Sequence, residues 1–112
     1  MAYDVFAAMD KIKAKGLVQL ALGGQGWQEG ITFRSVLLAV GGKELYMKTF
    51  RDRDASGPQF RKAVESYRKL KSYVDSGSPG RDWNLATAMV IDGKAGFQFM
   101  GDWAKGEFIN AK

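Results

Sequence analysis

The feature that most constrains the fold is a short, mostly apolar run held between glycines. Leu17-Val18-Gln19-Leu20-Ala21-Leu22 is preceded by Gly16 and stopped by Gly23-Gly24. Six residues are too few for an ordinary helix, so the run reads as a buried strand. Ahead of it, Asp4 stands where an N-cap belongs, and Val5, Met9 and Ile12 recur at helical spacing. Lys11, Lys13 and Lys15 suit the negative end of that helix's dipole, and Gly16 closes it. Helix, glycine turn, then buried strand is the grammar of an α/β layer.

The rest of the chain follows the same logic. Gly23-Gly24-Gln25-Gly26 reads as a loop, glycine being the residue that gives a backbone freedom. A helix is predicted from Gln28 to Val40, ended by Gly41-Gly42, and a short amphipathic one from Lys43 to Phe50. Pro58 takes the position a first helical residue prefers. Phe60, Val64, Tyr67, Leu70 and Val74 then extend that helix to near Asp75. Asp82 is placed to cap a helix through Leu85, Met89 and Val90, which Gly93 stops. Phe97 and Phe99 alternate with Gly96 and Gln98, a strand period, and Asp102 is placed to cap a last helix starting at Trp103. The prediction is a single helix-rich α/β domain over residues 1–112, with five to six helices and two short buried strands. Two strands make a poor sheet, so both are expected to want neighbours.

Composition removes whole classes of chemistry. The chain has 112 residues, no cysteine and no histidine. Disulfide scaffolds, thiol nucleophiles, Ser-His-Asp triads and imidazole catalysis all lose their central group. Hydrophobic residues make up 46% and aromatics 12%, enough for a core. The net charge of +5 comes from 17 basic and 12 acidic residues that are interleaved, as in Arg51-Asp52-Arg53-Asp54. The basic run Arg61, Arg68, Lys69 and Lys71 falls on an amphipathic helix and reads as a solvated face, so no nucleic-acid partner is expected. The longest apolar stretch, Val36 to Val40, is far below the roughly 20 residues of a membrane span. Met1-Ala2-Tyr3-Asp4 has neither the basic start nor the apolar run of a signal peptide, and none is expected here.

Nucleotide motifs fail on spacing. A G-x-G-x-x-G fingerprint begun at Gly24 puts Glu29 where the third glycine belongs. Gly42-Lys43 is followed by Glu44 and Gly93-Lys94 by Ala95, so neither is a P-loop. Glu29, Asp102 and Glu107 are the candidates for a hydrolytic carboxylate pair, and nothing in the spacing faces two of them across a cleft. No catalytic residue, metal site or cofactor is assigned.

The aromatics carry more. Trp27 follows the glycine loop and Trp103 follows Gly101-Asp102, each where a strand gives way to a helix. Such strand ends form the usual ligand-binding edge of an open α/β sheet. An indole beside an amide or carboxylate suits a sugar, which offers apolar ring faces and hydroxyls. Packing is the competing reading for both indoles.

These residues also carry a resemblance. Ala14-Lys15-Gly16, Leu20-Ala21-Leu22-Gly23-Gly24-Gln25-Gly26-Trp27-Gln28, Gly80-Arg81-Asp82-Trp83-Asn84 and Met89-Val90-Ile91-Asp92-Gly93-Lys94-Ala95-Gly96 follow one another in the order of a known family. Gly101-Asp102-Trp103-Ala104-Lys105-Gly106-Glu107-Phe108 is the strongest stretch. The chain resembles the carbohydrate substrate-binding proteins of ABC transporters, nearest to their glucose-binding members. The resemblance implies an internal stretch of the second lobe of a two-lobed, periplasmic clamshell that hands sugar to a membrane permease. It implies that Trp27 stacks on the sugar, that Gln25 and Asp102 bond its hydroxyls, and that Trp103 joins the site. It gives Trp83 a structural place at a helix start. The family pattern has Pro where this chain has Gly26. Two expectations follow. One is half of a monosaccharide site, weak alone. The other is an assembly piece that self-associates through exposed core surfaces and binds no ligand.

Overall fold

Both strands of the protein are entered through the same helix-ending turn. Helix α1 (Ala2–Ala14) closes on Gly16, whose φ is 76°. The Gly16 N–H donates to Lys13 O at 2.9 Å and the Leu17 N–H to Ile12 O at 3.4 Å. Helix α4 (Trp83–Ile91) closes on Gly93, with φ 74°, by the same pair of bonds: Gly93 N–H to Val90 O at 3.1 Å and Lys94 N–H to Met89 O at 2.8 Å. This is the Schellman turn, in which a left-handed glycine lets two backbone donors return to otherwise orphaned carbonyls. The first turn delivers the chain into strand β1 (Val18–Leu20), the second into strand β2 (Ala95–Phe97). These are the two strands predicted from the sequence.

The structure is a computed structural model, and it describes residues 2–111. β1 and β2 are parallel, with Val18 opposite Ala95 and Leu20 opposite Phe97. On the far side of β1, Leu20 bridges Val74 in parallel, and its N–H donates to Tyr73 O at 3.2 Å. β1 is therefore central, and among the described residues no further strand pairs with β2. The bridge corrects one expectation. Helix α3 (Pro58–Lys71) stops at Lys71, and Val74 leaves the helical stripe to join the sheet.

Alternation of side chains along β1 sets the layers. Leu20 packs with Met9 of α1, Leu70 of α3 and Tyr73, while Ala21 packs with Ala86 of α4 and Ala95. Leu20 and Ala21 are both wholly buried. A helix thus covers each face of the sheet, the helix-rich α/β layering expected. Helix α2 (Gly26–Phe50) carries a break at Gly42, with φ 65° and ψ −163°, where the sequence divides it into two helices. It pairs with α3 through Leu37, Leu45 and Ala63, with Phe33 edge-on to Phe60 and Tyr67. Between α1, α2 and α3 an apolar groove of about 170 Å³ is lined by Val5, Phe6, Val36, Val40, Leu70 and Phe99. The last helix is α5 (Ala104–Asn110). No helix among the described residues is long and apolar enough to cross a membrane.

Helix starts depart from the predicted caps. Asp4 lies inside the first turn of α1 rather than ahead of it. Trp103, not Asp102, is the residue preceding α5, and no side chain caps that helix. Asp82 does precede α4, yet its carboxylate makes no capping bond. It is engaged elsewhere.

Candidate functional site

Parallel strands send their carboxyl ends to one edge, and the helices that follow them start there. Trp27 lies in the first turn of α2, Trp103 immediately precedes α5, and Trp83 opens α4. The three indoles meet. Trp27 and Trp103 have centroids 6.3 Å apart and are tilted by 51°. Trp83 stands edge-on to Trp103, at 6.5 Å and 84°. Trp27 remains 44% exposed and Trp103 50%, so both rings show a face to solvent.

Polar groups brace this cluster. The Gln25 amide is its hub. Its Nε2 donates to Asp82 Oδ1 at 2.7 Å, while its Oε1 accepts from Trp27 Nε1 and Gln28 Nε2, each at 2.9 Å. That uses both lone pairs and leaves one N–H. Gln28 is wholly buried and also donates to Arg81 O at 3.2 Å. Its Oε1 is buried without a partner. On the other side, Gln98 donates to Trp83 O at 3.2 Å and accepts from the Thr87 hydroxyl at 2.8 Å. Asp102 is exposed; its carbonyl accepts from the Lys105 N–H at 3.0 Å, and its carboxylate makes no hydrogen bond or ion pair among the described residues.

The glycines after β1 serve a purpose other than the one read from sequence. Neither Gly23 nor Gly24 has a positive φ. Their role is room. A Cβ on Gly23 would lie 1.6 Å from the Gln28 amide oxygen, and one on Gly24 would lie 2.2 Å from Ser78 O. The loop from Asp75 to Arg81 comes this close because it is tied to the end of β1. Ser78 Oγ donates to Leu22 O at 3.0 Å, Arg81 to Leu22 O at 3.3 Å, and Gly24 N–H to Arg81 O at 3.0 Å. Arg81 also forms a two-pronged pair with Asp75, at 2.9 and 2.6 Å. Those hydrogen bonds hold the Asp75 carboxyl below its usual range and push Arg81 up.

Of the four residues singled out from sequence, the structure brings Gln25, Trp27 and Trp103 into one patch, with Asp102 next in the chain to Trp103. Sequence reasoning missed Asp82 and Gln28 as partners of Gln25. Asp82 is 57 positions from Gln25, so only the fold joins them. Among the described residues no group of histidine, cysteine, aspartate and glutamate is placed to hold a metal ion.

The chain is similar to known proteins. A probable sugar-binding periplasmic protein of Mesorhizobium japonicum is 54% identical over 112 residues, covering 97% of this chain and 27% of that protein. One of Rhizobium meliloti is 48% identical, with the same coverage. The chain thus spans little more than a quarter of the length of these curated relatives. Among solved structures, the bacterial solute receptor AcbH, with an exclusive substrate preference for β-D-galactopyranose, matches 96% of this chain and 27% of its own. The TM-score is 0.81 at 26% identity. A structure from work on xylan utilization by Caldanaerobius polysaccharolyticus shares the fold, with TM-score 0.87 at 23% identity over 99% of this chain and 29% of its own. The family model for bacterial extracellular solute-binding proteins matches residues 1–112, so the chain belongs to that family.

Proposed function

We propose that the chain forms one wall of a carbohydrate site, as an internal stretch of the second lobe of a periplasmic solute-binding protein that serves an ABC importer. The observation that carries this reading is the pair of half-exposed indoles, Trp27 and Trp103, in contact at the carboxyl edge of a parallel sheet. That edge is where open α/β sheets take ligands. The Trp27 N–H is already consumed by Gln25, so this indole offers a sugar its ring face only. Asp102 is the free acceptor for hydroxyls, and Gln25 has a single N–H left to give. The ligand is a monosaccharide, glucose or a close relative. On this reading the chain binds and does not catalyse, the family that it matches being one of solute-binding proteins.

One wall alone holds sugar weakly, because enclosure between lobes is what excludes water. An affinity near millimolar is expected, about −4 kcal/mol. The test is an NMR titration with glucose, galactose and mannose, following the indole N–H resonances beside a Trp27→Ala variant. Saturable, sugar-selective shifts lost in the variant support the site. Shifts that persist without Trp27 remove it.

A second reading is supported by surface area. The chain exposes 7170 Å², against roughly 6100 Å² for a typical monomer of its mass. The outer edge of β2, which pairs with no further strand among the described residues, and the apolar groove beside Phe99 belong to this excess. On this reading the chain is an assembly piece that self-associates and binds no ligand. A concentration-independent monomer in sedimentation velocity would count against it.

A further inference from the structure

A stacking surface works only if its ring is held, and Trp27 sits at the start of a helix with 44% of its surface exposed. Its orientation must come from behind. The N–H of the indole donates to Gln25 Oε1 at 2.9 Å, and the buried Gln28 Nε2 donates to the same oxygen at 2.9 Å. Both donors are served only if the Gln25 amide turns its oxygen toward them and its nitrogen away. The partner on the other side enforces that choice. Asp82 Oδ1, 2.7 Å from Gln25 Nε2, is a carboxylate oxygen and accepts only. A reversed amide would set oxygen against oxygen and nitrogen against two N–H groups. The next residue, Trp83, supports the same wall through its edge-on contact with Trp103, which in turn leans on Trp27.

We propose that Asp82 and Gln25 are positioning residues: Asp82 fixes the sense of the Gln25 amide, and the amide fixes the Trp27 indole in the plane it presents to ligand. Asp82 occupies the N-cap position of α4 and does not cap it, its carboxylate being given to Gln25 instead. The value of this brace for binding rests on the carbohydrate reading of the site. The brace itself does not, and it is tested without ligand.

The measurement is hydrogen exchange of the three indole N–H groups by NMR, with Trp27 assigned by its disappearance in a Trp27→Phe variant. In the parent chain the Trp27 N–H exchanges more slowly than that of Trp103, which has no acceptor among the described residues. Asp82→Ala accelerates exchange at Trp27 about three- to tenfold, the population change one net hydrogen bond supports. Asp82→Asn, which keeps an acceptor oxygen but can also turn an N–H toward Gln25, restores the parent rate in part. A loss of structure without loss of this relay would speed all three indoles together and would not be rescued by asparagine. Unchanged exchange at Trp27 in a folded Asp82→Ala protein overturns the proposal. If Asp82→Ala does not fold, Gln25→Leu decides on the same readout. Glucose affinity is then measured on the same variants. A relay that behaves as expected in a chain that binds no sugar removes the carbohydrate reading and leaves the brace. Sugar binding with no change at Trp27 does the reverse.

Discussion

At Gly26 the chain carries the most flexible residue where its sequence resemblance points to the stiffest. The structure makes the exchange easy to evaluate. Gly26 is the first residue of α2, a Cβ there meets nothing within 4 Å, and its N–H makes no backbone bond among the described residues. Gln25 before it is extended, with φ −89° and ψ 146°, as a residue preceding proline must be. Gly26→Pro is expected to stabilise the chain by about 0.5–1 kcal/mol, through loss of freedom in the unfolded state, read as a raised midpoint in urea. Asp75 makes the opposite case. Its carboxyl titrates below its unfolded value because Arg81 bonds it, so its stabilisation is present above the ordinary carboxylate pKa and fades as pH falls through the lower folded value. Asp75→Asn is expected to cost about 1–3 kcal/mol at pH 7. Because that stabilisation fades in acid, the cost shrinks there, as urea unfolding at pH 7 and pH 3 would show. The identity of Gln25 and Trp27 as a pair was legible in sequence because they are two positions apart. Asp82 was not, because nothing local ties it to Gln25.

At the scale of elements, glycine and spacing told most of the story. Gly16 and Gly93 mark both helix ends, and the strands start two residues after each. Because both glycines are left-handed, Gly16→Ala and Gly93→Ala are each expected to cost about 1–2 kcal/mol in equilibrium unfolding. No clash contributes, since a Cβ at either position meets no atom within 4 Å. Gly24→Ala is expected to cost at least as much for a different reason, a collision with the backbone at Ser78. Sequence treated these glycines alike. Only the packed structure separates those needed for conformation from those needed for space. Val74 was misread for a similar cause. It continues the apolar stripe of α3 in sequence, but the helix has already ended, and the open side of β1 takes the residue into the sheet. Periodicity sees a neighbour's spacing and is blind to a vacant strand edge.

At the scale of the molecule, shape follows from what the sheet lacks. The Cα radius of gyration is 14.7 Å, with extents of 43 × 29 × 23 Å, against about 13 Å for a compact domain of this length. The helix pair α2–α3 projects from a narrow sheet, and the layering legible in sequence is spread thin. If the proposed carbohydrate site is right, a protein of the relatives' length that contains these residues is expected to bind the sugar at least ~100-fold more tightly than the chain alone, about 2.7 kcal/mol by calorimetry. One consequence of the aromatic cluster reaches beyond binding. The chain has three tryptophans, and all three stand within one chain of ring contacts. Its indoles therefore act as one coupled chromophore: excitation passes among them, and their transitions mix in circular dichroism. All tryptophan light emitted by this protein comes from the proposed binding face, so unfolding, a change of ring orientation and a docked ligand are reported from one place.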